Sequence, residues 1–204
     1  MTLSTSKIWK AAVVAAMGLA AGTGTALAQP FMAEGGRTTQ PVGHYEFCQQ
    51  LPAECQRTPG AARPVELTRQ LWAQMIEINN AVNAGVVPRT DYEIWGVEER
   101  WSYPVNGMGD CEDYALEKRR MLNAIGVPLG NLRITVLRQP NGDGHAVLTV
   151  RTSRGDFVLD NLEPRILAWH ETEYEFLKWQ SKDHAGVWIA IEDDRQMLVG
   201  SVRR

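Results

Sequence analysis

Cysteine is scarce in this chain, with only Cys48, Cys55 and Cys111 among 204 residues. No C-x-x-C pair and no histidine-rich spacing accompanies them, which excludes a zinc-ribbon arrangement. Positive charge is also short: 21 Lys and Arg stand against 24 Asp and Glu, so there is no basic footprint for nucleic acid. A second long apolar run is missing after the first 28 residues, and the mature chain is expected to have no transmembrane segment. No internal repeat or low-complexity tract interrupts the sequence, which is long enough for one domain with a sizeable core.

What is present begins with Lys7 and Lys10, an apolar run over residues 11–20, and Ala26-Leu27-Ala28 before Gln29-Pro30. This is the pattern of a secretory signal peptide, residues 1–28, cleaved after Ala28. Export places the thiols in an oxidising compartment. Cys48 and Cys55 lie close together in a Pro- and Gln-rich segment, and a local disulfide between them is the economical pairing. Cys111 is then left over, and an odd thiol in an exported protein calls for a functional explanation.

Cys111 stands in Gly109-Asp110-Cys111-Glu112-Asp113-Tyr114-Ala115, at what reads as a helix start. Leu116, Met121, Leu122 and Ile125 form the apolar stripe of that helix, and Gly126 and Pro128 stop it. Unpaired N–H groups and the macrodipole at a helix N-terminus favour thiolate over thiol. The bland alternative is a small buried side chain on a core helix. Asp110 fits an N-cap, and Asp113 three residues on resembles a capping-box acid.

Residues 29–63 read as an irregular N-terminal arm, and residues 64–204 as the main domain. A helical period runs from Pro64 to Val82, followed by a loop from Asp91 to Gly107 rich in large side chains. After the cysteine helix the period becomes alternating, with strands over 132–138, 145–151, 156–160 and 186–191. Helices first and an antiparallel meander afterwards predict an α+β fold.

Thiol catalysis needs a base and a group that orients it. Of the four histidines, His145 opens a strand directly after a Gly-rich turn, where it can face a helix start packed on the sheet. Asp160 ends the next strand of the same meander, and adjacent antiparallel strands bring such ends together. Cys111, His145 and Asp160 are therefore the candidate catalytic residues, with Asp160 as a simple turn residue the alternative.

Three motifs, Gly109 to Ala115, Gly144-His145-Ala146-Val147-Leu148 and Phe157-Val158-Leu159-Asp160-Asn161, in this order resemble the bacterial transglutaminase-like cysteine peptidases, which include LapG-type periplasmic proteases that release biofilm adhesins. The likeness runs from about Arg63 to Ile191. It implies a papain-like or transglutaminase-like cysteine protease core with the nucleophile at a helix N-terminus packed on an antiparallel sheet. It further implies a periplasmic peptidase with Cys111 as nucleophile, His145 as general base and Asp160 as orienting group.

The acids beside Cys111 oppose ionisation of the thiol. A bound cation would remove that conflict, and carboxylates of this density suit Ca2+. The resemblance implies calcium at Asp110 and Glu112, to which Asp113 is added as a third candidate ligand. It also implies docking to an inner-membrane cyclic di-GMP receptor through an exposed tryptophan before the cysteine, here Trp101, with Trp95 the other choice and core packing of either ring the bland alternative. Expected partners are thus a cell-envelope protein substrate and such a receptor. Amide transfer to an amine, or a non-catalytic binding module on the same fold, are the competing readings.

Overall fold

The computed structural model describes residues 29–58, 63–193 and 195; the expected signal peptide, residues 1–28, lies outside the described residues. In chain order the elements are β1 (Ala33–Thr38), α1 (Val42–Gln50), a 3-10 turn (Pro52–Cys55), α2 (Arg69–Gly85), β2 (Val87–Pro88), α3 (Asp91–Trp95), β3 (Met108–Gly109) and α4 (Cys111–Ala124). There follow β4 (Leu132–Arg138), β5 (Gly144–Thr152), β6 (Gly155–Leu159), β7 (Leu167–Ala168), β8 (Glu175–Ser181) and β9 (His184–Glu192). Seven strands form one sheet in the order β1-β9-β8-β4-β5-β6-β7, with every neighbouring pair antiparallel. This is the α+β architecture expected from the change of period. Among the described residues no helix is long and apolar enough to cross a membrane.

Strand alternation gives the sheet two apolar faces. Leu132, Ile134, Leu148, Val150 and Leu159 join Leu71, Met75, Tyr114, Leu116 and Leu122 of the helices in one core cluster. Leu137, Val147, Val158, Phe176 and Trp179 form a second cluster with Met32, Trp169 and Ile191. Helix α4 lies against β4 and β5, which brings the cysteine helix to the strand that carries His145.

Three local expectations change. Helix α2 starts at Arg69 rather than near Pro64, because Thr68 caps it, its Oγ1 accepting from the Leu71 N–H at 3.0 Å. Residues 29–63 are not an irregular arm: β1 pairs with β9 at the sheet edge and α1 follows it. Strand β1 is mostly exposed and Gly-rich, so it has no alternation to read, and its order comes from pairing. Helix α1 docks tightly, since a Cβ on Gly43 would fall 2.5 Å from Cδ1 of Trp101. Strand β8 lies between the expected strands 156–160 and 186–191, where none is expected, and carries a register shift opposite Val136 and Leu137 that breaks its period of two.

The disulfide between Cys48 and Cys55 is present, with a Cα–Cα distance of 5.6 Å, and it ties α1 to the 3-10 turn.

Candidate active site

Cys111 is the first residue of α4, half-buried, and the free thiol among the described residues. The short parallel pairing of β2 with β3 fixes the chain immediately before it. Its Sγ donates to Oε2 of Glu112 at 3.1 Å. Burial and the adjacent Glu112 and Asp110 carboxylates push the thiol well above its ordinary range, while the Ala146 N–H pulls the other way. The helix start alone therefore does not make a thiolate here. Helix α4, which opens with Cys111, packs against β5, the strand that carries His145.

His145 and Asp160 meet as their strand positions predict. Nε2 of His145 lies 2.8 Å from Oδ1 of Asp160, and both side chains are almost fully buried. Asp160 sits one residue past β6 and is held from several sides. The Leu162 N–H donates to Oδ1 at 2.9 Å, the Tyr174 hydroxyl donates to Oδ2 at 2.6 Å, and Nδ2 of Asn83 on α2 donates to the Asp160 carbonyl at 2.8 Å. Burial raises the Asp160 carboxyl, but the bonds from His145, Leu162 and Tyr174 outweigh it and hold the group below the usual carboxylate range. An ionised Asp160 fixes the ring proton on Nε2, which leaves Nδ1 as the basic nitrogen.

The acids do not act as caps. Asp110 occupies the N-cap position without a side-chain cap bond, and Asp113 accepts from the Ser102 N–H at 2.8 Å instead. Two carboxylate groups are gathered around the helix start, Asp91 with Asp110 and Asp113, and Asp91 with Glu99 and Glu112, the oxygens of each lying within 4.8 Å of one another. The three expected ligands are thus not one cluster by themselves: Asp91 joins them. Burial is the first cause that pushes Asp91 to about 6, Glu112 to about 9 and Asp113 to about 8, with neighbouring carboxylates adding to it. Oδ1 of Asp91, Oδ1 of Asp110 and Oε1 of Glu112 are buried without a hydrogen-bond partner. Buried oxygens without donors, crowded with like charge, fit a hard divalent cation. Gly109 makes room for the arrangement, since a Cβ there would fall 2.6 Å from Oδ2 of Asp113.

The sequence pattern described as Bacterial transglutaminase-like cysteine proteinase BTLCP matches residues 34–196. The chain belongs to this family. Among solved structures, this transglutaminase-like proteinase is similar to Legionella pneumophila LapG at 31% identity, over 62% of this chain and 73% of that one, with a TM-score of 0.50. The calcium-bound form of Legionella pneumophila LapG is 25% identical over 74% of this chain and 82% of that one, with a TM-score of 0.51. An EGTA-treated form is 29% identical over 62% and 74%, with a TM-score of 0.50. No curated protein sequence matches the chain.

One expected site residue of the proteinase is misplaced. Trp101 is not exposed: it is 3% accessible, its Nε1–H donates to Oε1 of Glu99 at 2.8 Å, and its ring meets His44 and Trp188 edge-on. It is core, and it cannot present its ring to a receptor in this conformation. Trp95 is half-buried beneath the Arg100 guanidinium, 4.0 Å from its ring centroid.

Asp91, Glu99 and Tyr174 lie outside the motifs that mark the site in the sequence. Asp91 had a usable signal, because Thr90-Asp91-Tyr92-Glu93 is a capping-box pattern and α3 indeed carries the box, which orders Asp91 beside the cysteine loop. Glu99 and Tyr174 lie in irregular connections, where no period marks them.

Proposed function

We propose that this chain is an exported, calcium-dependent cysteine peptidase that cuts a cell-envelope protein through Cys111, His145 and Asp160. The observation that carries the reading is the buried His145–Asp160 pair, with His145 on β5, the strand against which the helix that opens with Cys111 packs. Membership of a cysteine proteinase family supplies the reaction class.

In this reading Nδ1 of His145 takes the Cys111 proton and the thiolate attacks a peptide carbonyl. Collapse of the tetrahedral species breaks the C–N bond, and the imidazolium gives its proton to the leaving amine. A water molecule, deprotonated by His145, then hydrolyses the thioester and restores the thiol. Asp160 stays ionised throughout and stabilises the imidazolium. The Cys111 backbone N–H, at the helix start, serves in this reading as a donor to the developing oxyanion.

Asp91, Asp110, Glu112 and Asp113, with Glu99 at the edge, are the residues that would hold calcium. A bound cation would supply positive charge that offsets the carboxylates raising the thiol, and would fix the loop before α4. Support comes from the partnerless buried oxygens and from the calcium-bound and EGTA-treated forms in which the similar LapG has been solved.

The remaining parts of the reading are a signal peptide over residues 1–28, periplasmic action by residues 64–204 with the disulfide-bearing segment 29–63 packed onto them, an adhesin-like surface protein as substrate, and control by a cyclic di-GMP receptor. Any receptor docks without Trp101. The test is to incubate mature protein with envelope extracts, with calcium or with EGTA, beside Cys111→Ala. The expected result is fragments from wild type with calcium alone. Identical fragments from wild type and mutant would overturn the peptidase assignment, and full activity in EGTA would overturn the calcium requirement.

A further inference from the structure

Tyr174 belongs to none of the three motifs, yet it touches two of the proposed catalytic groups. Its hydroxyl donates to Oδ2 of Asp160 at 2.6 Å, and its half-buried ring stands edge-on to His145 with centroids 5.9 Å apart. Oδ1 of the same carboxylate is already engaged by His145 and the Leu162 N–H. Without Tyr174, Oδ2 would have no protein donor among the described residues. The carboxylate could then turn about its Cα–Cβ and Cβ–Cγ bonds and carry the imidazole with it.

We propose that Tyr174 is a positioning residue of the reaction: its hydroxyl locks the Asp160 carboxylate in the plane that presents Nδ1 of His145 to Cys111, and its ring screens that pair from water. The proposal rests on the assignment of Cys111, His145 and Asp160 made above.

The phenol must stay a donor for this role. Burial first, and then the Asp160 and Glu163 carboxylates, raise the Tyr174 hydroxyl above its ordinary range, so it keeps its proton throughout the working pH window. Charge-assisted O–H···O⁻ bonds are among the stronger ones, and this one withdraws density from the carboxylate that stabilises the imidazolium. The other titratable groups facing the carboxylate are His145 from β5, Lys118 from α4 and Glu163 from the loop after β6. Lys118 is almost fully buried with no carboxylate within ion-pair distance among the described residues, and Asp160 is the charge that acts on it.

Loss of the hydroxyl has two separable effects. A looser carboxylate lowers kcat, whereas a more basic one raises the pH at which His145 loses its proton. Neither acts on substrate binding.

The experiment compares calcium-loaded wild type with Tyr174→Phe by pH–rate profile, and follows the His145 ring resonances against pH by NMR in a Cys111→Ala background, with His145→Gln for assignment. Expected are a kcat lower on the order of tenfold at unchanged KM, and an upward shift of the His145 titration by about half a pH unit. A His145 titration and kcat both unmoved by Tyr174→Phe would overturn the proposal, even if thermal stability falls. The NMR arm needs no turnover, so it still decides the role of Tyr174 if wild type and Cys111→Ala prove equally active and the proposed mechanism itself fails.

Discussion

Nε2 of His145 and Oδ1 of Asp160 lie 2.8 Å apart, at neighbouring ends of two antiparallel strands, and both side chains are almost completely buried. A burial of this kind makes the pair strong and also makes either partner expensive to lose, because the other is left without its compensating bond. Asp160→Asn keeps the shape but offers no charge to an imidazolium and permits the wrong tautomer. The substitution should lower kcat on the order of 10²- to 10⁴-fold with KM little changed, as read by steady-state cleavage. A loss confined to KM would place Asp160 in substrate binding instead.

The acidic cluster predicts a pH dependence with a definite sign. Burial and like charge raise Asp91, Glu112 and Asp113 to about 6, 9 and 8 in the fold, so without calcium the folded chain binds more protons than the unfolded one. Their contribution to stability is complete below the ordinary carboxylate range and is lost as pH rises through those values. Tm in EGTA should therefore fall from the ordinary carboxylate range, about pH 4, up to about pH 9, and saturating calcium should flatten the fall. Calcium binding should also release protons near neutral pH, which calorimetry in buffers of different ionisation heat detects. Binding without proton release would contradict the placement of the ion among these carboxylates.

His44 pulls the other way. Burial, with the Arg119 charge second, lowers its pKa from the ordinary 6.5 to about 3. The stability it contributes is present above the ordinary value and is lost as pH falls from there toward 3. His44→Phe should make acid unfolding shallower over that interval, measured by circular dichroism against pH. An unchanged acid limb would show that His44 is not neutral in the folded state.

Trp101 is the packing partner of His44 and Trp188, and the close approach of Gly43 leaves no slack around it. Trp101→Ala should destabilise the fold by about 3–5 kcal/mol in chemical denaturation. A change below about 1 kcal/mol would mean that the ring is free to leave the core, which would restore it as a docking residue.

The disulfide closes a short loop, with a sequence separation of 7 between Cys48 and Cys55. Replacing both cysteines with alanine should lower stability by about 2–3 kcal/mol on the chain-entropy account. The corresponding loss in Tm is about 5–10 °C for a domain of this size. Cleavage by the folded variant should persist, since neither residue touches the Cys111 site.

Much of this organisation was legible in the residues. The cysteine helix, the hairpin of β4 and β5 and the positions of His145 and Asp160 follow from period and turn chemistry, because those elements bury one face each and their patterns are regular. What was hidden has a physical cause in each case. Strand β1 has no buried face of its own, the register shift in β8 interrupts its alternation, and Asp91 and Glu99 reach the acidic cluster through tertiary packing of a loop. Trp101 shows the converse limit, since an aromatic in a polar loop reads the same whether its ring faces solvent or the core. The acids at Cys111 set up a conflict in the sequence itself, and burial adds to it: burial first, then Glu112 and Asp110, raise the thiol rather than lower it.

The most direct test of the central claim is the rate at which iodoacetamide alkylates Cys111 in calcium-loaded protein at pH 7, followed by intact mass for wild type and His145→Ala. Because the thiolate is the reacting species, a thiol served by a neighbouring base reacts far faster than an isolated one. The account predicts rapid labelling of wild type, and labelling slower by about 10- to 100-fold in His145→Ala. Equal rates in the two proteins would contradict the pairing of Cys111 with His145, and with it the proposed mechanism.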